Sequence, residues 1–184
     1  MSPLGFLAFG AGSVTVVGLS WRSLRRPGSH GFPRFFAFEA ILALVVLNAD
    51  GWFFDPWSVR QLVSWVLLTG SIPLALHGFL VLRRAGRPTP PPGGAAEHHW
   101  EYTSELVTTG AYRFIRHPLY SSLLLLTWGA VLKGVDPASL ALAATATAFL
   151  VLTARADERE CVERFGDAYR AYATRTRMFV PFIL

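Results

Sequence analysis

At 184 residues the chain is long enough for one domain, but 52% hydrophobic against 16% charged residues, at a mean hydropathy of +0.38, excludes an ordinary soluble domain and favours a compact all-α membrane bundle. The net charge of +5 does not signal nucleic acid, because the basic residues punctuate apolar runs and form no stripe with interleaved aromatics. The single cysteine, Cys161, excludes an internal disulfide, and no Cys/His cluster has the spacing of a zinc module.

Phe6 to Trp21, with Pro3 and Leu4 added, is just long enough to be a first span, and it closes on Trp21, Arg22, Arg25 and Arg26. No basic stretch precedes it, so it reads as a retained span and not a cleaved signal. Phe35 to Phe54 is the second predicted span, preceded by Arg34 and followed by the aromatic group Trp52, Phe53, Phe54 and Trp57. Trp57 to Leu82 is the third, with Pro73 expected to kink it. Ala85 to Glu97 holds a Pro/Gly run that reads as an exposed loop, and His98 to Thr109 has room for one short interfacial helix. Leu119 to Leu132 and Ala138 to Thr153, joined by the tight turn Lys133 to Pro137, form a helical hairpin.

Every basic residue except Arg60 and Lys133 then falls on one side of the predicted spans. By the excess of basic residues in cytoplasmic loops, five transmembrane helices with the N-terminus outside and a cytoplasmic C-terminal helix is the consistent arrangement. The chain divides as a single membrane domain over 1–184, with three N-terminal spans over 1–83, a cytoplasmic loop over 84–117, the hairpin over 118–153 and a cytoplasmic tail over 154–184. The expected location is a bacterial inner membrane, with any active site facing the cytoplasm.

The polar knot Gly110-Ala-Tyr-Arg-Phe-Ile-Arg-His-Pro-Leu-Tyr120 runs straight into the short fourth span. Pro118 suits the first position of a helix, which leaves His117 extended just outside it. The amides of Leu119, Tyr120 and Ser121 then offer an anion site beside Arg113 and Arg116. Basic residues beside spans are ordinary, so an interfacial anchor is the plain alternative. In the tail, a helix over Asp157 to Thr174 places Glu158, Phe165, Tyr169 and Tyr172 on one face, provided that it survives Gly166. A carboxylate on a packing face needs a partner, and the knot supplies one. Glu39 and His77 are further candidates inside spans two and three. Asn48 and Asp50 read as turn residues, and Glu97-His98-His99 lacks a third ligand at usable spacing.

With those motifs in view, the sequence resembles the isoprenylcysteine carboxyl methyltransferase and phospholipid methyltransferase superfamily of integral membrane enzymes. The resemblance spans roughly residues 100 to 184. It is carried by Gly110-x-Tyr112-x-x-x-Arg116-His117-Pro118-x-Tyr120, Asp157-Glu158, Phe165-Gly166-x-x-Tyr169-x-x-Tyr172, Arg175 and Pro181. It implies a helical membrane bundle whose cytoplasmic part wraps S-adenosylmethionine while a lipophilic small-molecule acceptor enters from the bilayer lipids. It further implies cofactor binding by Gly110, Tyr112, Arg116, His117, Pro118, Leu119, Tyr120, Glu158 and Tyr169, and catalytic roles for Arg175 and Glu158, with no metal. Ser122 stands where many members carry glycine, and Arg177-Met178-Phe179 departs from members acting on prenylated cysteine.

Methyl transfer from a sulfonium is an in-line displacement that chiefly needs alignment and exclusion of water. A carboxylate acceptor needs no base, whereas an amine or thiol must arrive deprotonated, with Glu158 or His117 as proton acceptor. The rival enzyme is a nicotinamide-dependent membrane sterol or enone reductase, which shares an Arg-His-Pro-x-Tyr arrangement but commonly has asparagine where Leu119 stands. A non-catalytic membrane scaffold of the same fold is the rival from outside enzymes.

Overall fold

The computed structural model describes residues 2–87 and 102–181. Among these it contains seven α-helices: α1 Pro3–Leu19, α2 Trp21–Leu24, α3 Gly31–Leu47, α4 Val59–Ala85, α5 Pro118–Val131, α6 Pro137–Phe165 and α7 Asp167–Arg175. There is no strand among the described residues, although Ile115 and Arg177 form an isolated parallel bridge. α4 and α6 are long and apolar enough to cross a membrane, and α1 and α5 are shorter apolar helices.

Local chemistry sets the helix starts. Ser2 accepts from the Gly5 amide ahead of Pro3, Ser58 accepts from the Gln61 amide, and Asp136 accepts from the Ala138 and Ser139 amides ahead of Pro137. Three expectations need correction. The second span begins at Gly31 and stops at Leu47, because the buried Asn48 turns out of the helix; its amide donates to Ala130 O (3.1 Å) and its carbonyl accepts from Ser139 Oγ (3.1 Å). Residues 102–109 contain no helix, while 98–101, like the Pro/Gly run over 88–97, lie outside the described residues. The hairpin's second arm and the first turns of the predicted tail helix are one element, α6, and Gly166 breaks it with φ +55° and ψ −129°, a conformation open to glycine and costly to other residues.

The 29 residues of α6 extend about 43 Å at 1.5 Å per residue, more than a ~30 Å hydrocarbon core. Its last turns, from about Arg155 onward, exceed what such a layer needs and carry Asp157, Glu158 and Glu160. The division proposed at residue 154 thus falls inside a continuous helix.

α3 packs along α6, α4 along α5, and α1 rests on α3. Small side chains at the first of these contacts, Ala37, Ala40, Ala146 and Ala154, are all nearly or fully buried and let the backbones approach closely. At the end remote from the Arg-His-Pro segment a polar clasp joins three parts of the bundle. Lys133 is only 2% exposed; its Nζ donates to Gln61 Oε1 (2.7 Å) and Trp52 O (3.4 Å) and lies 3.7 Å from the Trp65 ring centre. Gln61 in turn donates to Gly51 O (2.8 Å) and Phe54 O (2.9 Å), so the turn after α3 is fastened to both α4 and the hairpin.

Replacing Lys133 with methionine leaves Gln61 Oε1 buried without a donor and removes the cation from the Trp65 face. We expect a loss of about 2–3 kcal/mol, read as a lower thermal midpoint of purified protein in detergent. An unchanged midpoint would mean that the clasp does not hold the turn.

Candidate active site

The knot folds as the sequence pattern requires. Gly110 has φ +61°, and a Cβ there would lie 2.6 Å from His77 Nε2; the following amide, Ala111 N, donates to that same nitrogen (3.2 Å). His77 therefore holds the knot against α4. Tyr112 turns inward and is buried, its hydroxyl donating to Gly78 O (3.4 Å) and its carbonyl accepting from Tyr172 Oη (2.7 Å). Burial, reinforced by Asp157, pushes its phenol well above the ordinary value, so it stays a neutral donor.

A short zipper then joins the knot to the segment after α7. Arg116 N donates to Arg177 O (2.7 Å), His117 N to Met178 O (3.2 Å) and Arg177 N to Phe114 O (3.1 Å), and Ser121 Oγ reaches Phe179 O (2.8 Å). α5 begins at Pro118, with His117 at φ −125° just outside it. One detail of the expected anion site is corrected. Ser121 N donates to His117 O (2.8 Å), so its amide is not available to an anion.

Above this entry sits a charged cluster. Arg116 Nε donates to Glu158 Oε1 (2.6 Å), and its Nη1 donates to Ala173 O (3.2 Å) and Thr176 O (2.7 Å). His117 Nε2 lies 3.3 Å from the same glutamate oxygen, and its Nδ1 lies 3.6 Å from Asp157 Oδ2. The imidazole stacks on the Tyr120 ring at 5.4 Å, and the Tyr120 hydroxyl donates towards Asp157 Oδ2 (3.5 Å). Burial alone raises the Glu158 carboxyl, but hydrogen bonds and charge from His117 and Arg116 outweigh it and hold the group below the usual carboxylate range.

Beside the cluster lies a cavity of about 300 Å³, at the lower end of ligand-pocket size. Tyr112, Arg116, His117, Leu119, Tyr120 and Tyr169 all line it, which brings together six of the residues singled out from sequence. Glu158 is at the rim of this group, behind Arg116 and His117, and does not itself line the cavity; the neighbouring Asp157 does. Gly110 and Pro118 shape the entry from outside. Arg175 is exposed and donates from Nε to Ala171 O (3.2 Å), so the structure does not bring it to the cavity. Within α7, Tyr169 and Tyr172 turn inward, and Arg175, three residues past Tyr172, has rotated off that face.

Several lining residues had no place in the sequence reading of the site. His30, Arg34 and Phe38 present an i, i+4, i+8 stripe from α3, a spacing that is legible only once α3 is seen to start at Gly31. Glu160 accepts from His30 N (3.0 Å) and faces its Nδ1 (2.8 Å), fastening that stripe to α6. Thr103, Leu106 and Val107 form a strap over the cavity, pinned by the Arg164 guanidinium 3.5 Å from the Tyr102 ring centre. His30, Asp157 and Glu160 place ligand atoms within 4.8 Å of one another, but each already has a protein partner in the contacts above.

An apolar helical bundle with a cavity edged by aromatic rings and satisfied ion pairs is the form of a small-molecule site on a rigid scaffold. The chain belongs to the phospholipid methyltransferase family, which matches residues 59–168, from α4 to just past α6. Methanethiol S-methyltransferase 1 of Bradyrhizobium diazoefficiens is 33% identical over 70 residues, 38% of this chain and 24% of that protein. The methanethiol S-methyltransferase of Crocosphaera subtropica is 31% identical over 84 residues, 45% of this chain and 32% of that protein. The likeness thus covers a third or less of these relatives' own length. No solved structure matches the chain significantly.

Glu158→Gln removes the charge that Arg116 and His117 share. Because the folded-state carboxyl is held low, its stabilisation is full above the ordinary carboxylate range and is lost as pH falls through the lowered value. The variant is expected to be less stable at neutral pH by roughly 2 kcal/mol, and to lose less on acidification. Parallel thermal melts of the two proteins across pH 3–7 check this; curves of equal acid slope would contradict it.

Proposed function

We propose that the protein transfers a methyl group from S-adenosylmethionine to a small lipophilic acceptor delivered from the membrane, in a five-span bundle whose cavity end faces the cytoplasm. The observation that carries this reading is the meeting of the Arg116–Glu158–His117 cluster with Tyr112, Tyr120 and Tyr169 at one cavity. Family membership favours methyl transfer over the reductase alternative. The basic residues gathered at this end support its cytoplasmic placement.

The donor set fits the methyl donor. Tyr169 and Tyr172, edge to face at 5.8 Å, offer faces for adenine or a sulfonium. Asp157 is an acceptor for an ammonium or ribose hydroxyls. S-adenosylmethionine, when bound, supplies an electrophilic methyl group on sulfur. Arg116 and Glu158 act as positioning residues that fix His117 and the start of α5. The strap over 103–107 and the apolar walls exclude water, which preserves alignment of the reacting atoms. His117 faces a carboxylate at each ring nitrogen, Glu158 at Nε2 and Asp157 at Nδ1, so Asp157, which lines the cavity beside it, is the group placed to accept a proton from an acceptor thiol or amine.

The relatives' printed activity, S-methylation of methanethiol, puts a small thiol first among acceptors, and a cavity of about 300 Å³ suits a small one better than a whole phospholipid headgroup. Purified protein in detergent is expected to bind S-adenosylhomocysteine by calorimetry, and His117→Ala to weaken that binding about tenfold. Tight nicotinamide binding with no response to the sulfur compound would remove the proposal. With labelled methyl donor, short-chain thiols should accept label ahead of amino-phospholipids and isoprenoid acids; the reverse order would replace the acceptor class. In a Cys161→Ala background, a cysteine at Phe54 is expected to be labelled from outside intact cells and one at Arg170 only after permeabilisation. Labelling of Arg170→Cys from outside would invert the topology.

A further inference from the structure

The cavity runs from the polar cluster into the bundle along three helices. Going inward, its wall passes from His30 at the head of α3 to Phe38, from Leu119 to Leu123 on α5 and, against the chain direction, from Leu82 to Ala75 on α4. At 1.5 Å per residue these stretches descend about 12, 6 and 10 Å. The level of α4 is fixed by Gly78, where a Cβ would lie 3.4 Å from Pro118 and from Leu119. Ala75, three residues earlier on the same helical face, stands about one turn deeper and presents only a methyl group to the cavity.

The charged groups stay at the mouth. Asp157, Arg116 and His117 are held there with Glu158, and Arg164 lies on Tyr102. At the deep end the side chains are Phe38, Ala75 and Leu123, and Ser122 turns its hydroxyl back to donate to Leu119 O (2.6 Å). A charged or polar group placed there would lose its water without gaining a partner. A methylene placed there gains about fourfold in binding, the equivalent of its transfer free energy.

Resting on the methyl-transfer reading, we propose that this deep end is a tail subsite for an unbranched alkyl chain on the acceptor thiol. Ala75 and Phe38 set the chain length, so the preferred acceptor is a medium-chain alkanethiol and not methanethiol. Asp157 fixes the reacting head at the mouth, which leaves the apolar wall below it for the tail. In the transfer the thiol gives its proton to Asp157 and its sulfur bonds the methyl carbon, while the bond from that carbon to the donor's sulfonium breaks and leaves its electron pair on the donor sulfur. Phe38 lies outside the stretch 59–168 that the family matches, so the length of this subsite is not carried over with family membership.

The test measures kcat/KM for labelled methyl transfer to methanethiol, ethanethiol, butanethiol, hexanethiol and decanethiol. It uses the full chain in detergent as parent, Ala75→Leu and Phe38→Leu, with S-adenosylhomocysteine binding followed by calorimetry in parallel. In the parent, kcat/KM is expected to rise about fourfold per added methylene from methanethiol to butanethiol, and to fall by decanethiol once the chain outgrows the subsite. Ala75→Leu moves the maximum to a shorter chain and Phe38→Leu to a longer one, while neither changes S-adenosylhomocysteine affinity. Partition into detergent is common to all three proteins, so the shift of the maximum reads the cavity alone. A parent series that is flat or falls from methanethiol, or variants that keep the parent's maximum, overturns the inference. So does loss of S-adenosylhomocysteine binding in a folded Ala75→Leu, which gives the deep end to the donor. If one variant fails to fold, the other still has to shift the maximum in its own direction. A parent that binds no S-adenosylhomocysteine removes the methyl-transfer reading itself, whereas one that binds it and methylates no thiol overturns only the tail subsite.

Discussion

The ion pair between Arg116 and Glu158 is the contact on which the cavity depends. It joins the residue two positions ahead of α5 to the last turns of α6, and the same guanidinium ties down the last carbonyls of α7 and the residue after it. Two charges brought this far out of water cost free energy that is recovered only when their remaining donors and acceptors are met. Both conditions hold here, with Arg116 reaching three acceptors and Glu158 reaching both Arg116 and His117. The pair is thus better understood as specifying where three helix ends meet than as a source of net stability. His117 and Tyr120 take their positions on the cavity wall from that meeting point.

Much of this was legible in the sequence. The start of α5 followed from Pro118, because a residue without an amide donor suits the first helical position and its predecessor is driven out of helical geometry. The partnership of Glu158 with the knot followed from the cost of an unpaired carboxylate on a packing face. Tyr169 and Tyr172 were expected inward and are inward, although by a different route. A single helix over 157–174 was the expected cause, whereas Gly166 resets the direction and α7 presents both rings anew. Arg175, whose expected role came from the family resemblance and not from the helix register, lies at the surface at the end of α7.

What the sequence concealed has one physical origin. Periodicity identifies which face of a helix is apolar but not which helix it meets, so the pairing of α3 with α6 left no local trace. Without that pairing His30 and Arg34 are ordinary basic residues before a span. With it they become one wall of the cavity, and Glu160 becomes the residue that fastens them. The early end of α3 was hidden for the same reason: Asn48 leaves the helix to satisfy groups on the α5–α6 hairpin, more than 80 positions away in the chain.

The two ends of the bundle divide the work. At the far end Lys133, Gln61 and Asn48 are fully used by the protein itself, and every polar group that a contact describes there terminates on a neighbouring helix or turn. At the cavity end the same kinds of group stand on the wall of a cavity: Asp157, Arg116 and His117 line it while held by one another or by Glu158. A polar group beside an apolar cavity gains most when a ligand supplies its complement, since little water competes for it. Rigid closure at one end and braced polar groups on a cavity wall at the other is the distribution expected when a scaffold holds a site in place and leaves the chemistry to what binds there.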